Sequence, residues 1–310
     1  MEMLIILLLA IIIDLALGDP PSAIHPVAWV GKLVSFLERG PISQSRATQF
    51  LYGVGIVIIT IGLFTVPAYF ILIYLKSLSS VAYVIVGAVF LKFTFSLRGL
   101  RQAALKVKRL LLENKLDEAR FELRTLVSRD TRNLTKPWLI SAAVESVAEN
   151  SSDSFVAPLF YFLIFGIPGA IAYRVVNTLD AAVGYHGKYE YLGKFASRLD
   201  DVLNFIPARL TALLLILAAF LSRRNGRKSW QVALSEHAKT ESPNAGWPMA
   251  AVAGALNIQL EKMGHYKLGK SSTSTAPETI DASLALMQVA MLVWVLICFA
   301  IGGVRFVLTA

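Results

Sequence analysis

The sequence predicts an all-α, polytopic integral membrane protein whose helices are broken or re-entrant in places and whose cytoplasmic loops are helical. Three observations carry this. The 310 residues are 55% hydrophobic and 16% charged, with a mean hydropathy of +0.60, whereas soluble domains carry about 25% charged residues. Apolar runs recur at 51–75, 81–97, 155–173, 206–222 and 284–305, each able to reach across or deep into ~30 Å of hydrocarbon. Helix breakers stand inside these runs, at Pro67, at Pro158 and at Gly166–Pro168, and irregular backbone at membrane depth must be enclosed by protein. The chain is read as a single membrane-embedded domain, 1–310.

Residues 3–17 are apolar. They read as a retained first helix rather than a signal peptide, because Glu2 precedes them without Lys or Arg and Asp14 interrupts them. Asp14 is expected as a helix-end acid near water, with membership of a polar site as the alternative. Pro20, Pro21 and Pro26 exclude regular helix across 18–30, so this is a shaped loop. A short amphipathic helix is expected over 32–39. Residues 51–75 and 81–97 are two spans joined at Lys76–Ser80, with Lys92 snorkelling toward the inner face. Leu105, Leu112, Leu116, Ala119 and Leu123 recur at helical spacing, with a break at Asn114–Lys115, which predicts a helical hairpin. The run 155–173 divides into halves of about ten residues, too short to span singly at 1.5 Å per residue. It is one kinked span or a re-entrant hairpin. The small residues of 242–260 predict a closely packed helix. GHYKLGKS (264–271) matches G-x-x-x-x-G-K-[ST], but no strand is expected before it and no helix directly after. It is therefore not expected to be a nucleotide-binding loop, although Lys270 could still reach a phosphate.

Charge is unevenly spread. Net charge is +9, and Arg98–Lys136 holds eleven Lys/Arg against five Asp/Glu, the excess expected of a cytoplasmic loop. With 98–137 inside, a full crossing at 155–173 places 176–204 outside, while a re-entrant hairpin keeps it inside. No basic stretch is interleaved with aromatics, which argues against nucleic acid as a partner. One cysteine, Cys298, excludes an intrachain disulfide, and four histidines without an i,i+4 pair give no zinc signature.

The stretch 145–209 is the expected active-site region, because polar groups near lipid are costly and a dense set of them usually has a task. Glu145, Glu149 and Asp153 are spaced to form a stripe on one helix face. Adjacent carboxylates repel and invite a cation, and the oxygen-rich neighbours Asn150, Ser151 and Ser152 favour Mg²⁺. The arginines suit phosphate. A single polar cleft is expected, lined by Glu145, Glu149 and Asp153 and joined by Asp180 and by Asp200 or Asp201. Arg198 with Asp201 also reads as a plain surface ion pair, and Asn177 and Asn204 as helix caps.

The segments GDPPSAIHPVAWVG (18–31), RDTRNL (129–134), VESVAENSSDSFVAPLFY (144–161), YRVVNTLDAAVGY (173–185), RLDDVLNFIPARLTALLL (198–215) and SPNAGWPMAAVAGAL (242–256) resemble the CobD/CbiB cobalamin-biosynthesis membrane proteins. The likeness covers nearly the full chain, with six motifs in the same order; His186 stands where a more basic residue is expected. The resemblance implies a cell-membrane, multi-pass adenosylcobinamide-phosphate synthase. Such a ligase amidates a propionate of adenosylcobyric acid, a corrinoid, with (R)-1-aminopropan-2-ol O-phosphate or the free aminopropanol, consuming ATP with Mg²⁺, through an acyl phosphate. The candidate catalytic acids are Glu145, Glu149, Asp153, Asp180 and Asp201. Candidates for substrate or phosphate are His25, Arg129, Asp130, Asn150, Arg174, Asn177, Tyr185, Arg198, Asn204, Arg209 and Asn244, and for metal Glu149, Asp153, Asp180 and Asp200. The partners implied are the corrinoid, aminopropanol phosphate and the bilayer; an oligomer is left open. Broken helices with intramembrane acids also fit a transporter, although no internal repeat is found. A non-catalytic membrane scaffold of a biosynthetic complex is the third reading.

Overall fold

A computed structural model describes residues 1–21, 23, 25–37, 45–183, 190–270 and 275–309. In chain order its helices are α1 (Glu2–Leu17), α2 (Pro26–Leu37), α3 (Arg46–Leu78), α4 (Ser80–Lys92), α5 (Leu97–Leu112), α6 (Leu116–Leu123), α7 (Lys136–Ser151), α8 (Ala157–Val183), α9 (Glu190–Leu221), α10 (Gly226–Glu236), α11 (Gly246–Leu256) and α12 (Glu278–Thr309). A π-helical turn, Ser152–Val156, joins α7 to α8. Two three-residue strands, β1 (Leu260–Lys262) and β2 (Tyr266–Leu268), pair antiparallel with Leu260 opposite Leu268. Among the described residues the fold is all-α apart from this hairpin. Among the described residues, five stretches are long and apolar enough to cross a membrane: 46–78, 80–112, 136–182, 190–221 and 278–308.

The chain packs as two compact units. The first comprises Met1–Ser96, Ala157–Leu203 and Cys298–Ala310. In it α1 packs on α4, and α8 packs on α2, α3 and α4. Val30 and Val34 of α2, Ile56 and Val57 of α3, Val175 and Leu179 of α8, and Leu192 and Ala196 of α9 form one buried cluster. Gly53 makes the approach of α3 to α9 possible, since a Cβ there would stand 2.0 Å from the Leu192 carbonyl oxygen. The outer side of α3 is apolar and exposed at Ile58, Ile59, Leu63, Val66 and Phe70, the surface a lipid-facing helix presents.

The second unit comprises Leu97–Val156 and Asn204–Ile297. Here α5 and α6 form the expected helical hairpin, broken where Asn114 adopts φ 56°, and both pack on α7. The small residues of α7 let it be enclosed along its length, from Leu139 to Ala148. Helices α10 and α11 pack together, tied by the Ser229 hydroxyl donating to the Ala251 carbonyl at 2.7 Å.

Several sequence expectations are corrected. Helix α2 begins at Pro26 and so occupies part of the expected loop, because a proline's missing N–H costs nothing in a helix's first turn. Lys92 does not snorkel and Asp14 is not near water: both are buried, paired at 2.9 Å. Asn177 and Asn204 lie inside α8 and α9 and cap neither. Within 155–173 the break is at Gly166, whose φ of 69° and ψ of −162° interrupt α8. A strand does precede the GHYKLGKS match, contrary to expectation. The match still has no P-loop geometry: Gly264 is the hairpin turn, and Tyr266–Leu268 inside the pattern is itself a strand.

Candidate active site

A cavity of about 230 Å³ lies in the second unit. Five pieces of chain build it: α7, residues 126–129 after α6, the 240–245 loop before α11, Met249 of α11, and the β-hairpin. Its wall holds the cations Arg129 and Lys262, the carboxylates Glu145, Glu149 and Glu241, and the hydroxyl residues Ser128, Ser146, Thr240 and Ser242. The loop is shaped by the Ser242 hydroxyl, which accepts from the backbone N–H groups of Asn244 and Ala245 at 3.2 and 3.3 Å.

Glu145 is 4% exposed and is surrounded by donors. The Ser141 hydroxyl donates to Oε1 at 2.6 Å, and the Tyr266 hydroxyl donates to Oε2 at 2.9 Å. The Arg129 guanidinium reaches the same Oε2 at 3.0 Å. Burial, and then the Glu145 charge and the hydrogen bond to it, push the Tyr266 phenol far above its usual range, so it stays a donor. The hairpin is seated by the Glu261 N–H, which donates to Ser141 Oγ at 2.8 Å, and by the Gly269 N–H, which donates to Glu236 at 2.8 Å.

The first unit has its own polar centre. Lys92 Nζ lies 2.9 Å from Asp14 Oδ1, 2.6 Å from Asp19 Oδ1 and 3.2 Å from the Phe95 carbonyl. The Ser96 hydroxyl donates to the other Asp19 oxygen. The Val27 N–H donates to His25 Nδ1 at 3.2 Å, so in neutral His25 the proton is on Nε2, which faces Asp19 at 3.8 Å. Burial works to raise the Asp19 carboxyl, but the nearby His25 ring, the hydrogen bonds from Lys92 and Ser96 and the Lys92 charge outweigh it and hold the group well below the carboxylate range. Asp19, His25, Ser96 and Arg174 line a cavity of about 310 Å³, and Arg174 also lines an apolar one of about 430 Å³ with Trp29, Phe64, Phe90 and Phe93.

The structure brings together part of the expected set. Glu145, Glu149 and Arg129 share the 230 Å³ cavity. Asp153 is not on its wall. An α-helical stripe turns by about 40° with every four residues, and the helix changes to a π turn at Ser152, so the third acid leaves the face of the first two. Asn150 holds the α7 end, donating to the Ser146 carbonyl at 3.0 Å and accepting from the Ser154 hydroxyl at 3.0 Å. Asp130 is turned to solvent, where hydrogen bonds from Arg132 hold its carboxyl at about 2. Arg209 donates to Asn244 Oδ1 at 3.1 Å and lies 3.6 Å from the Phe205 ring centre. Asn204 is buried at 2% exposure. Asp180, Asp200 and Asp201 belong to the first unit. There Arg174 donates to Asn177 at 3.2 Å and Asn177 to Asp200 at 3.3 Å; Asp180 bonds Ser197. Arg198 and Asp201 are 3.7 Å apart with Arg198 largely exposed, a surface pair. Tyr185 lies outside the described residues. Among the described residues no three of His, Cys, Asp and Glu converge as a protein-only metal cage requires.

Sequence reasoning missed Ser141, Lys262 and Tyr266 in the second unit and Asp19 and Ser96 in the first. Asp19 had a signal, an acid between a glycine and two prolines beside a membrane helix. Tyr266 had none, since it meets Glu145 across 121 positions.

Residues 7–300 match the model of a family described as CobD/Cbib protein. The chain is 55% identical over 306 residues to the "Cobalamin biosynthesis protein CobD" of Dehalococcoides mccartyi, covering 99% of each. It is 40% identical over 304 residues to the "Probable cobalamin biosynthesis protein CobD" of Methanothermobacter thermautotrophicus, covering 98% of each. With the protein of that same name from Pyrococcus furiosus it shares 43% over 280 residues, 90% of each. No solved structure matches. On a family match spanning nearly its whole length, the chain belongs to the CobD/CbiB family.

Proposed function

We propose that this protein is a membrane enzyme of cobalamin biosynthesis that forms the amide between a corrinoid carboxylate and a small phosphorylated amine. Its relatives are named for that pathway. The observation that carries the reading is the 230 Å³ cavity, where Arg129 and Lys262 stand beside Glu149 among Ser and Thr hydroxyls. Cations and hydroxyls suit a phosphate and a carboxylate suits an ammonium, so the cavity matches (R)-1-aminopropan-2-ol O-phosphate in charge and size. It is too small for a whole corrinoid.

The chemistry proceeds in two displacements. The corrinoid propionate oxygen attacks the γ-phosphorus of ATP, and the bond to the β,γ-bridging oxygen breaks to release ADP. The amine nitrogen then attacks the activated carbonyl carbon, the carbon–oxygen bond to phosphate breaks, and inorganic phosphate leaves. Glu149 accepts the proton shed by the nitrogen. Arg129 and Lys262 hold the amine's phosphate and orient its nitrogen. Mg²⁺ is commonly bound through one or two carboxylates plus substrate phosphates, a mode the donor set fits through Glu149; when bound it neutralises charge on the transferring phosphoryl group.

The test is reconstitution in membranes with cobyric acid, ATP, Mg²⁺, and aminopropanol with or without its phosphate. ADP formation that depends on cobyric acid, with an amide product, is the expected result. Binding of corrinoid without any ATP turnover would replace the enzyme by a scaffold, and vectorial movement of corrinoid without amide formation would replace it by a transporter. The same reading places 98–137 on the cytoplasmic side, where ATP is supplied.

A further inference from the structure

We propose that Ser141 and Tyr266 are positioning residues. Together they cap Glu145 so that it serves as a fixed counter-ion, and Glu145 in turn holds the Arg129 guanidinium in one orientation at the cavity wall. The inference rests on the reading of Arg129 as a phosphate-binding group and assigns the residues that set its aim.

The hydrogen-bond inventory fixes the direction of each contact. A serine hydroxyl has one proton. Ser141 Oγ already accepts the Glu261 N–H at 2.8 Å, so its proton goes to Glu145 Oε1 at 2.6 Å. Tyr266 likewise has one proton, and it goes to Glu145 Oε2 at 2.9 Å; its other neighbour, the Met249 sulfur at 3.7 Å, is a weak acceptor. The third contact, Arg129 Nη2 at 3.0 Å, is a donor by necessity. Three donors from three separate elements therefore converge on one enclosed carboxylate, which acts as acceptor to all of them.

This divides the two acids of α7. Three donors that anchor the hairpin and Arg129 occupy three of the roughly four acceptor sites of the enclosed Glu145 carboxylate. Its charge is used internally, against a guanidinium that is only 18% exposed. Among the described residues the buried Arg129 Nε–H has no hydrogen-bond partner. The guanidinium is thus gripped through Nη2 while the same side chain lines the cavity. Ser141 carries a second duty: through Glu261 it ties Glu145 to the hairpin that bears Tyr266 and Lys262, so seating of the hairpin and aim of Arg129 are one arrangement.

Two measurements on the full-length protein in detergent test this. In the first, arginine side chains are labelled with ¹⁵N and the Arg129 signal is assigned by its loss in Arg129→Lys. Hindered guanidinium rotation is expected in the wild type and averaged signals in Tyr266→Phe and Ser141→Ala, with Ser141→Thr restoring the hindered state. Averaged signals in the wild type, or hindered signals in both variants, overturn the proposal whether or not the protein makes an amide. The second is a calorimetric double-mutant cycle with aminopropanol phosphate as the probe. Tyr266→Phe and Arg129→Lys are each expected to weaken binding about tenfold, and the double variant to be little weaker than Arg129→Lys alone. Additive losses overturn the coupling. Absence of wild-type binding overturns the phosphate reading of the cavity, while the rotation measurement still decides the role of Ser141 and Tyr266.

Discussion

Lys92 Nζ stands 2.9 Å from Asp14 Oδ1, with both side chains at most 2% exposed. Asp19 is the second carboxylate on the same ammonium, at 2.6 Å. Removing one partner of a buried pair costs far more than the pair contributes, roughly 3–5 kcal/mol, because the remaining charge is left without compensation. Lys92→Met removes the ammonium that Asp14 and Asp19 share and is expected to lower the melting temperature in detergent by several degrees. Adding Asp14→Asn should recover part of the loss. An unchanged melting temperature in Lys92→Met would show that the cluster carries no stability.

Asp19 also sets an acid limit. Its folded carboxyl is held below the ordinary value, so its contribution is complete above the unfolded carboxylate pKa of about 3.9 and is lost as pH falls from there toward the folded pKa. Stability should be flat on this account from neutrality to about pH 5 and then decline. Asp19→Asn should lower the plateau and shallow the decline. Parallel curves for variant and wild type between about pH 3 and pH 6 would remove Asp19 from the explanation.

The membrane architecture was legible because hydropathy is a property of contiguous residues. Asn114 ends one helix and Gly166 breaks another where the local sequence placed those breaks. What was not legible is what depends on distant partners. Lys92 looked like a snorkelling side chain until Asp14 and Asp19 surrounded it, the latter 73 positions away. Glu145 read as one acid of a catalytic stripe, and the donors that enclose it, Tyr266 and Arg129, could not be seen because they come from elsewhere in the chain. Asp153 looked like the third member of a stripe because a π turn leaves no mark in side-chain spacing. The strands escaped because three residues are too few to show a period of two.

The orientation of the α5–α6 hairpin is open to direct chemistry. Lys115 lies at its tip between the two helices, half exposed and paired with Glu113. A cysteine introduced there, in a background where buried Cys298 is replaced by alanine, should react with a membrane-impermeant maleimide only after cells are opened. Labelling in intact cells would place the basic loop outside and defeat the reading of its eleven-to-five charge excess.

Glu149 is the carboxylate proposed to act as base. It lies one turn beyond Glu145 on α7 and lines the cavity with Arg129 and Lys262. Glu149→Gln preserves shape and hydrogen-bonding capacity but removes the charge needed to take a proton from the attacking amine. General-base groups contribute about 10²–10⁴-fold to rate, so kcat for ATP-dependent amidation should fall by at least about 10²-fold. Expression and membrane insertion should stay near wild type, and the phosphorylated amine should still bind through its phosphate on Arg129 and Lys262, more weakly for loss of the ammonium's partner. Asp153→Asn, off the cavity wall, should keep turnover within about threefold of wild type, a difference of less than 1 kcal/mol in activation free energy. Lys262→Ala should give the opposite pattern to Glu149→Gln, raising KM for the phosphorylated amine more than it lowers kcat. Full turnover in Glu149→Gln at limiting Mg²⁺ would exclude Glu149 both as base and as metal ligand, and equal damage from Glu149→Gln and Asp153→Asn would mean that the π turn does not separate the two acids during the reaction.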